Sequence, residues 1–337
     1  MKKIIYVFGV IFLALIIIVN FLFTAYLDMG EHITIYNNSL IYVIGLIIAG
    51  IAIFGITNII DKKLCSDETS KVKKKIRRGL FISVLVIYIL FNILWIIFVR
   101  PSIIADQIHV CNLAQTMFRG NEQEVLLTNT YAGIPLSQYI EAYQQQIPLA
   151  FVYSVFFRII NYDGIGLLRI LNVIGNILIV FSIYKIGMQL SKKYKINKVL
   201  ILTFILTFIS LIILSTFIYG DIPSAGLCLL AVYYTMRYSE TKKIKFICFA
   251  SIATMIAYMM RMNSLIFIIA TVIYLLLNLF NGITKRKAKE NLINTAVIIM
   301  YIVISILPSR LITNYYLNKY NLDKEKSYPT ISFLLIA

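Results

Sequence analysis

The sequence predicts an all-α fold, a polytopic bundle of about nine transmembrane helices. Three observations carry that expectation. Apolar runs of roughly 20 residues recur along the chain, the length that crosses a hydrocarbon core of about 30 Å. Of the 337 residues, 60% are hydrophobic and only 14% are charged, which excludes a single core wrapped in a water-facing shell. Finally, the basic residues gather between the apolar runs, the arrangement that orients helices in a bilayer.

The first run, 4–27, follows Lys2 and Lys3. It exceeds the roughly 7–15-residue apolar core of a signal peptide and has no small-x-small cleavage site, so it reads as a retained helix. The second, 39–60, turns back toward DKKLCSDETSKVKKKIRRG (61–79), which carries eight Lys and Arg. Residues 1–79 therefore form a hairpin with a basic loop, and 80–337 form the main membrane core. SKKYKINK (191–198), RYSETKKIK (237–245) and TKRKAK (284–289) carry four basic residues each. With Lys2 and Lys3, these places hold 22 of the 32 Lys and Arg. The net charge of +17 is thus a property of loops. No basic patch is interleaved with aromatics, so nucleic acid is not an expected partner.

Placing every basic loop in the cytoplasm fixes the topology. The N-terminus is inside, and the third run, 80–99, leaves the cell at Arg100. Residues 101–190 then cross only once, although they hold two apolar stretches. IPLAFVYSVFFRII (147–160) is 14 residues long, contains Arg158 and follows the polar EAYQQQ. It reads as an interfacial or re-entrant helix. The remaining spans are 167–190, 199–218, 222–238, 245–260, 263–280 and 291–309. The loop 101–166 becomes extracytoplasmic, and its helical spacing of Ile103, Ile108, Leu113 and Met117 marks it as structured. The final run, YPTISFLLIA, reads as the start of another segment, so the architecture is expected to continue past Ala337.

The four cysteines, Cys65, Cys111, Cys228 and Cys248, show no CxxC spacing and read as packing residues. No P-loop, GxGxxG, HExxH or GxSxG occurs, which argues against ATP-driven transport by this chain.

What remains are ionisable residues at tight turns, all placed outside by the topology. Asp106 follows Pro101 and Ser102 in FVRPSIIADQIHV. It is either a first-turn acid favoured by the helix dipole or a reactive carboxylate. His109 lies one turn on, as a partner or as a polar interfacial residue. Asp221, in STFIYGDIPSAG, joins two apolar helices, where an acid needs a partner or a function. Arg261, in YMMRMNS, interrupts an apolar stretch on the side where the positive-inside tendency disfavours it. It either clamps a phosphate or snorkels to headgroups. Arg158 and Arg169 pose the same choice, or pair with Asp163. Two acids and a cation around one hollow suit transfer of a sugar from a lipid phosphate: the cation holds the departing phosphate and a carboxylate takes the acceptor's proton.

In this order of features the chain resembles the GT-C superfamily of membrane glycosyltransferases, of the family 39, protein O-mannosyltransferase and aminoarabinose-transferase type. The resemblance covers about 80–315. It rests on IIADQIHVCNLAQTMFRG (103–120), YQQQIPLAFVYSVFFRIINYDG (143–164), the Arg169-led span 169–190, TFIYGDIPSAGLCLLAVYYTMRY (216–238) and MRMNSLIFIIA (260–270). It implies that Asp106 acts as base or orients the acceptor, that Asp221 is the second-loop acid, and that Arg261 contacts phosphate. Gln107, His109 and Arg169 complete the expected substrate-binding set. Where the family commonly has an Asp-Glu pair this chain has Asp106-Gln107, so no metal or other cofactor is expected. The implied activity is transfer of a sugar from a polyprenyl-phosphate donor to a cell-envelope polymer, lipid or protein outside the cell membrane. The alternatives are a transporter of polysaccharide or lipid-linked sugar and a non-catalytic membrane scaffold.

Overall fold

The computed structural model describes residues 2–27, 33–64, 70–103, 106–120, 130–131, 134–191, 194, 196–280, 288–323 and 326. The final apolar run and Cys65 lie outside them. The described chain is an all-α membrane bundle. Its helices are α1 (Lys2–Leu22), α2 (Leu40–Leu64), α3 (Lys71–Phe98), α4 (Asp106–Arg119), α5 (Leu136–Ala142), α6 (Ile147–Ile160) and α7 (Leu168–Leu190). There follow α8 (Lys198–Thr207), α9 (Ser210–Ile213), α10 (Asp221–Thr241), α11 (Ile244–Met260), α12 (Leu265–Phe280) and α13 (Ala288–Lys319).

Five of the described helical segments are long and apolar enough to cross a membrane, and six if one bent pair counts as a span. The described residues thus account for five or six of the nine apolar runs as candidate spans. The run 4–27 ends its helix at Leu22, and Phe23–Leu27 pairs instead with Ile33–Asn37 in an antiparallel hairpin. Residues 245–260 form a 17-residue helix. Residues 199–218 break into α8 and a second piece, Ser210–Thr216, bent by 42°. The run 291–309 is among the five and belongs to a longer helix that contains Pro308.

The chain divides into two compact units, 1–77 with 197–200, and 78–196 with 201–337. In the first, Asp61 and Asn197 prepare the start of α8. Asp61 Oδ1 accepts the backbone N–H of Lys198 at 2.9 Å, and Asn197 Oδ1 accepts that of Leu200 at 2.8 Å. These two acceptors satisfy donors that the helix itself leaves open.

The second unit holds three packed clusters. Val84, Tyr88, Val180, Tyr184, Leu202 and Ile205 join α3, α7 and α8. Ala231, Ile247, Ala250, Ile268, Ile298 and Tyr301 join α10 to α13. The third, with Leu113, Met117, Leu149, Tyr153, Phe157, Met260 and Leu317, packs α6 against α4 and receives the 218–219 turn. The helix expected to lie at an interface over 147–160 is present, with its Leu149, Tyr153 and Phe157 face fully buried. Elsewhere apolar side chains face outward, as with Ile41 at 85% and Phe98 at 78% exposure. Such a surface belongs in lipid, where close packing rather than water exclusion joins helices.

Small residues permit that packing. A Cβ on Gly175 would come within 2.7 Å of the Pro223 backbone, and one on Gly226 within 2.5 Å of the Gly175 carbonyl. Thus α7 and α10 cross with their backbones in contact. On α11, Ala250, Ala253, Thr254 and Ala257 make a buried small stripe at helical spacing.

The bent span exposes carbonyls that lipid cannot satisfy, and side chains of α3 and α7 supply the donors. Asn172 Nδ2 reaches the Ser215 and Phe217 carbonyls, each at 2.9 Å. Asn176 Nδ2 reaches Leu211 O at 3.0 Å and Asn92 Oδ1 at 2.7 Å. Trp95 Nε1 donates to Ile213 O at 3.2 Å. The polar residues of α3 and α7 thus sit where a neighbouring backbone is irregular.

Candidate active site

The turn 217–221 is the centre of the arrangement. Gly220 has φ +82°, and a Cβ there would lie 2.7 Å from the Met260 carbonyl oxygen. Glycine is therefore needed twice at this position, for the left-handed conformation and for the close approach. The contact sets the beginning of α10 against the end of α11. Asp221 opens α10, where the helix dipole favours its negative charge. Arg261 follows α11 in extended backbone, φ −151° and ψ 115°, which turns its side chain toward Asp221. Arg261 Nε lies 2.6 Å from Asp221 Oδ1, with the two side chains 28% and 45% exposed. The same guanidinium stacks on the Tyr219 ring, 4.3 Å from its centroid.

Asp106 enters from α4. The Tyr219 hydroxyl donates to Asp106 Oδ2 at 2.8 Å and accepts from Gln146 Nε2 at 2.5 Å. Tyr219 is consequently the shared member, hydrogen-bonded to one carboxylate and stacked beneath the cation that pairs with the other. His109 stacks flat on Tyr139, with centroids 4.1 Å apart. Four residues proposed from the sequence, Asp106, Asp221, Arg261 and His109, thus belong to one cluster, built on two tyrosines and a glutamine.

Burial shapes its titration. It pushes the Tyr219 phenol up, and the Asp106 carboxylate adds to the shift. Tyr139 is pushed up by burial, with Tyr219 and Asp106 contributing. Both stay protonated at neutral pH, and Tyr219 keeps donating to Asp106. Burial lowers His109 from 6.5 against the pull of Asp106, so the imidazole is neutral. At Asp221 burial raises the carboxyl and the Arg261 guanidinium opposes the rise.

The other candidates do structural work. Gln107 Oε1 accepts the backbone N–H of Ile218 at 2.9 Å and so pins the central turn. Arg169 donates to the Pro101 carbonyl at 2.8 Å, which ties the start of α7 to the segment before α4. Arg158 donates to Met117 O at 2.9 Å. Asp163 pairs with Arg119 at 2.5 Å rather than with Arg158 or Arg169. Cys111 and Cys228 are buried free thiols.

Tyr219, Gln146 and Tyr139 were missed by sequence reasoning. Tyr219 stands two residues before Asp221, and Gln146 closes the polar EAYQQQ, so proximity to a candidate acid was the available signal. Arg310 was missed as well. It lines a hollow of about 210 Å³ with Gln145, Tyr258, Met262, Ser309 and Thr313, next in sequence to both Gln146 and Arg261. Among the described residues no group of three or more His, Cys, Asp or Glu is placed to hold a metal ion. Comparison with protein-family models, with curated proteins and with solved structures finds no match.

Proposed function

We propose that this chain is a membrane glycosyltransferase of the GT-C type that moves a sugar from a polyprenyl-phosphate donor to an acceptor hydroxyl on the extracytoplasmic side. The observation that supports it is the gathering of Asp106, Asp221 and Arg261 around Tyr219. In the proposed step the acceptor oxygen attacks the anomeric carbon from the face opposite the phosphate. The carbon–oxygen bond to phosphate breaks, and its electron pair leaves with the lipid phosphate. Asp106, positioned by Tyr219, takes the acceptor proton. Arg261 presents the remaining donors of its guanidinium to the phosphate while Asp221 holds it in place. An apolar groove of about 520 Å³, with Phe91, Trp95, Phe98, Ile209 and Ile213 in its walls, offers the same unit a surface for a lipid chain.

The test is transfer of radiolabelled sugar from a synthetic polyprenyl-phosphate donor by protein in liposomes. Asp106→Asn is expected to reduce the rate by about 10²–10⁴-fold, the usual worth of a positioned base. If both Asp106→Asn and Asp221→Asn keep full activity, the assignment fails. A second reading, a transporter for lipid-linked sugar, draws support from the bent 198–216 span, since broken helices commonly frame transport sites. It predicts donor movement across the liposome without acceptor-dependent release of lipid phosphate.

A further inference from the structure

At the other end of α10 from Asp221 lies a separate cavity of about 650 Å³, between α7, α10 and α12. Thr235 on its wall is 14 residues beyond Asp221, about 21 Å along the helix. Gln189, Tyr194, Thr235, Glu240, Tyr274 and Asn278 line it, together with apolar side chains such as Leu190, Val232 and Met236.

Its polar groups are not evenly satisfied. Asn278 Nδ2 donates to Ser239 Oγ at 3.3 Å, and Thr235 Oγ1 donates to the Ala231 carbonyl at 2.8 Å. Gln189 is only 7% exposed, and its buried Oε1 receives no hydrogen bond. An acceptor of this kind costs free energy unless a donor is brought to it. Glu240 adds a carboxylate, whose Oε2 lies 3.7 Å from Arg237 Nη1, and no lysine or arginine is among the described lining residues. The wall therefore offers acceptors and no cation of its own to hold an anion. Tyr194 and Tyr274 add flat rings with hydroxyls, surfaces that suit a group apolar on one face and hydroxylated at its edge.

We infer that this cavity binds an uncharged, hydroxyl-rich headgroup, whose hydroxyls donate to Gln189 Oε1 and Glu240. The group is either free or carried on an apolar chain. The inference does not rest on the transferase reading, because no residue of the carboxylate cluster takes part.

Photolabelling of the full chain in phosphatidylcholine nanodiscs tests it. Three diazirine probes are compared: methyl β-glucoside, decyl β-glucoside and decyl phosphate. Glucoside labels are expected on peptides carrying Tyr194 or Tyr274, at least about fivefold above the phosphate probe. Labelling by both glucosides identifies a site for the sugar alone, and by the decyl compound only, a site for the amphiphile. Gln189→Met should cut glucoside labelling about fivefold. Glu240→Gln, on the open rim, should raise labelling by decyl phosphate, which keeps the question answerable if the first variant does not fold. Equal labelling by glucoside and phosphate, or labelling unchanged in the variant that folds, overturns the proposal.

Discussion

Tyr219 and Arg261 carry the first two predictions. Tyr219→Phe keeps the ring under the guanidinium but removes both the hydrogen bond to Asp106 and the acceptor of Gln146. Transfer should fall by roughly tenfold, the effect of about 1.4 kcal/mol, together with a lower melting temperature from the unpaired Gln146 amide. A fall in melting temperature without a fall in rate would assign Tyr219 to stability instead. Arg261→Gln removes the group that opposes the upward shift of Asp221. The Asp221 carboxyl then titrates at higher pH, and infrared titration of its carboxylate band should show the acid limb of the curve moved up. Arg261→Lys keeps the charge and should leave the limb nearly in place, though the rate falls with loss of the planar stack. His109 gives a stability prediction. Its folded pKa lies below 6.5, so on acidification the unfolded chain takes up the proton first. The contribution is complete above about pH 6.5 and declines as the pH falls toward the folded value. Melting scans between pH 8 and pH 5 should show that slope, and His109→Phe, which retains a flat ring against Tyr139, should flatten it.

The turns and breaks decide how the helices meet. Gly220→Ala forces a Cβ into a left-handed residue, at about 1–2 kcal/mol, and into the Met260 carbonyl. A lower melting temperature and loss of transfer together are expected, because the same contact places Arg261 beside Asp221. Asn172→Leu leaves the Ser215 and Phe217 carbonyls without their donor. At about 1–3 kcal/mol for an unsatisfied buried group, it should destabilise the protein while sparing the carboxylates. The contrast explains what the sequence could reveal. The helix α4 was legible because Leu113 and Met117 repeat at helical spacing beside polar positions, and Asp106 stands at its first turn. The break in 199–218 was not, because hydropathy weighs side chains, whereas a bend is decided by where freed carbonyls find donors. Those donors, Trp95, Asn172 and Asn176, sit on other helices. The hairpin after Leu22 was hidden for a related reason, since FTAYL carries no charge that would end the apolar run. Tyr219 was one of 23 tyrosines, and its nearness to Asp221 does not reveal the hydrogen bond to Asp106, 113 residues away in sequence.

At the scale of the molecule, the membrane bundle was readable from run length and loop charge. Counting apolar runs gives nine. Among the described residues five helical segments pass on length and apolarity, and six if the bent pair is one span. Residues 106, 221 and 261, which stand at separate turns of the sequence, meet in space. Single cysteines at Ser102 and Asn263 should react with impermeant maleimide from outside intact cells, and one at Lys242 should react only after permeabilisation. Reversed labelling would turn the proposed transferase site to the wrong compartment.

Where α7 and α10 touch through Gly175 and Gly226, no side chain cushions the crossing. Two rods welded at that point swing as a single lever, with Asp221 near one tip and Glu240 near the other. Any hinge must then lie elsewhere, and the bend at 208–209, followed by carbonyls at 211, 215 and 217 that the amides of Asn176 and Asn172 hold, is the joint the fold provides.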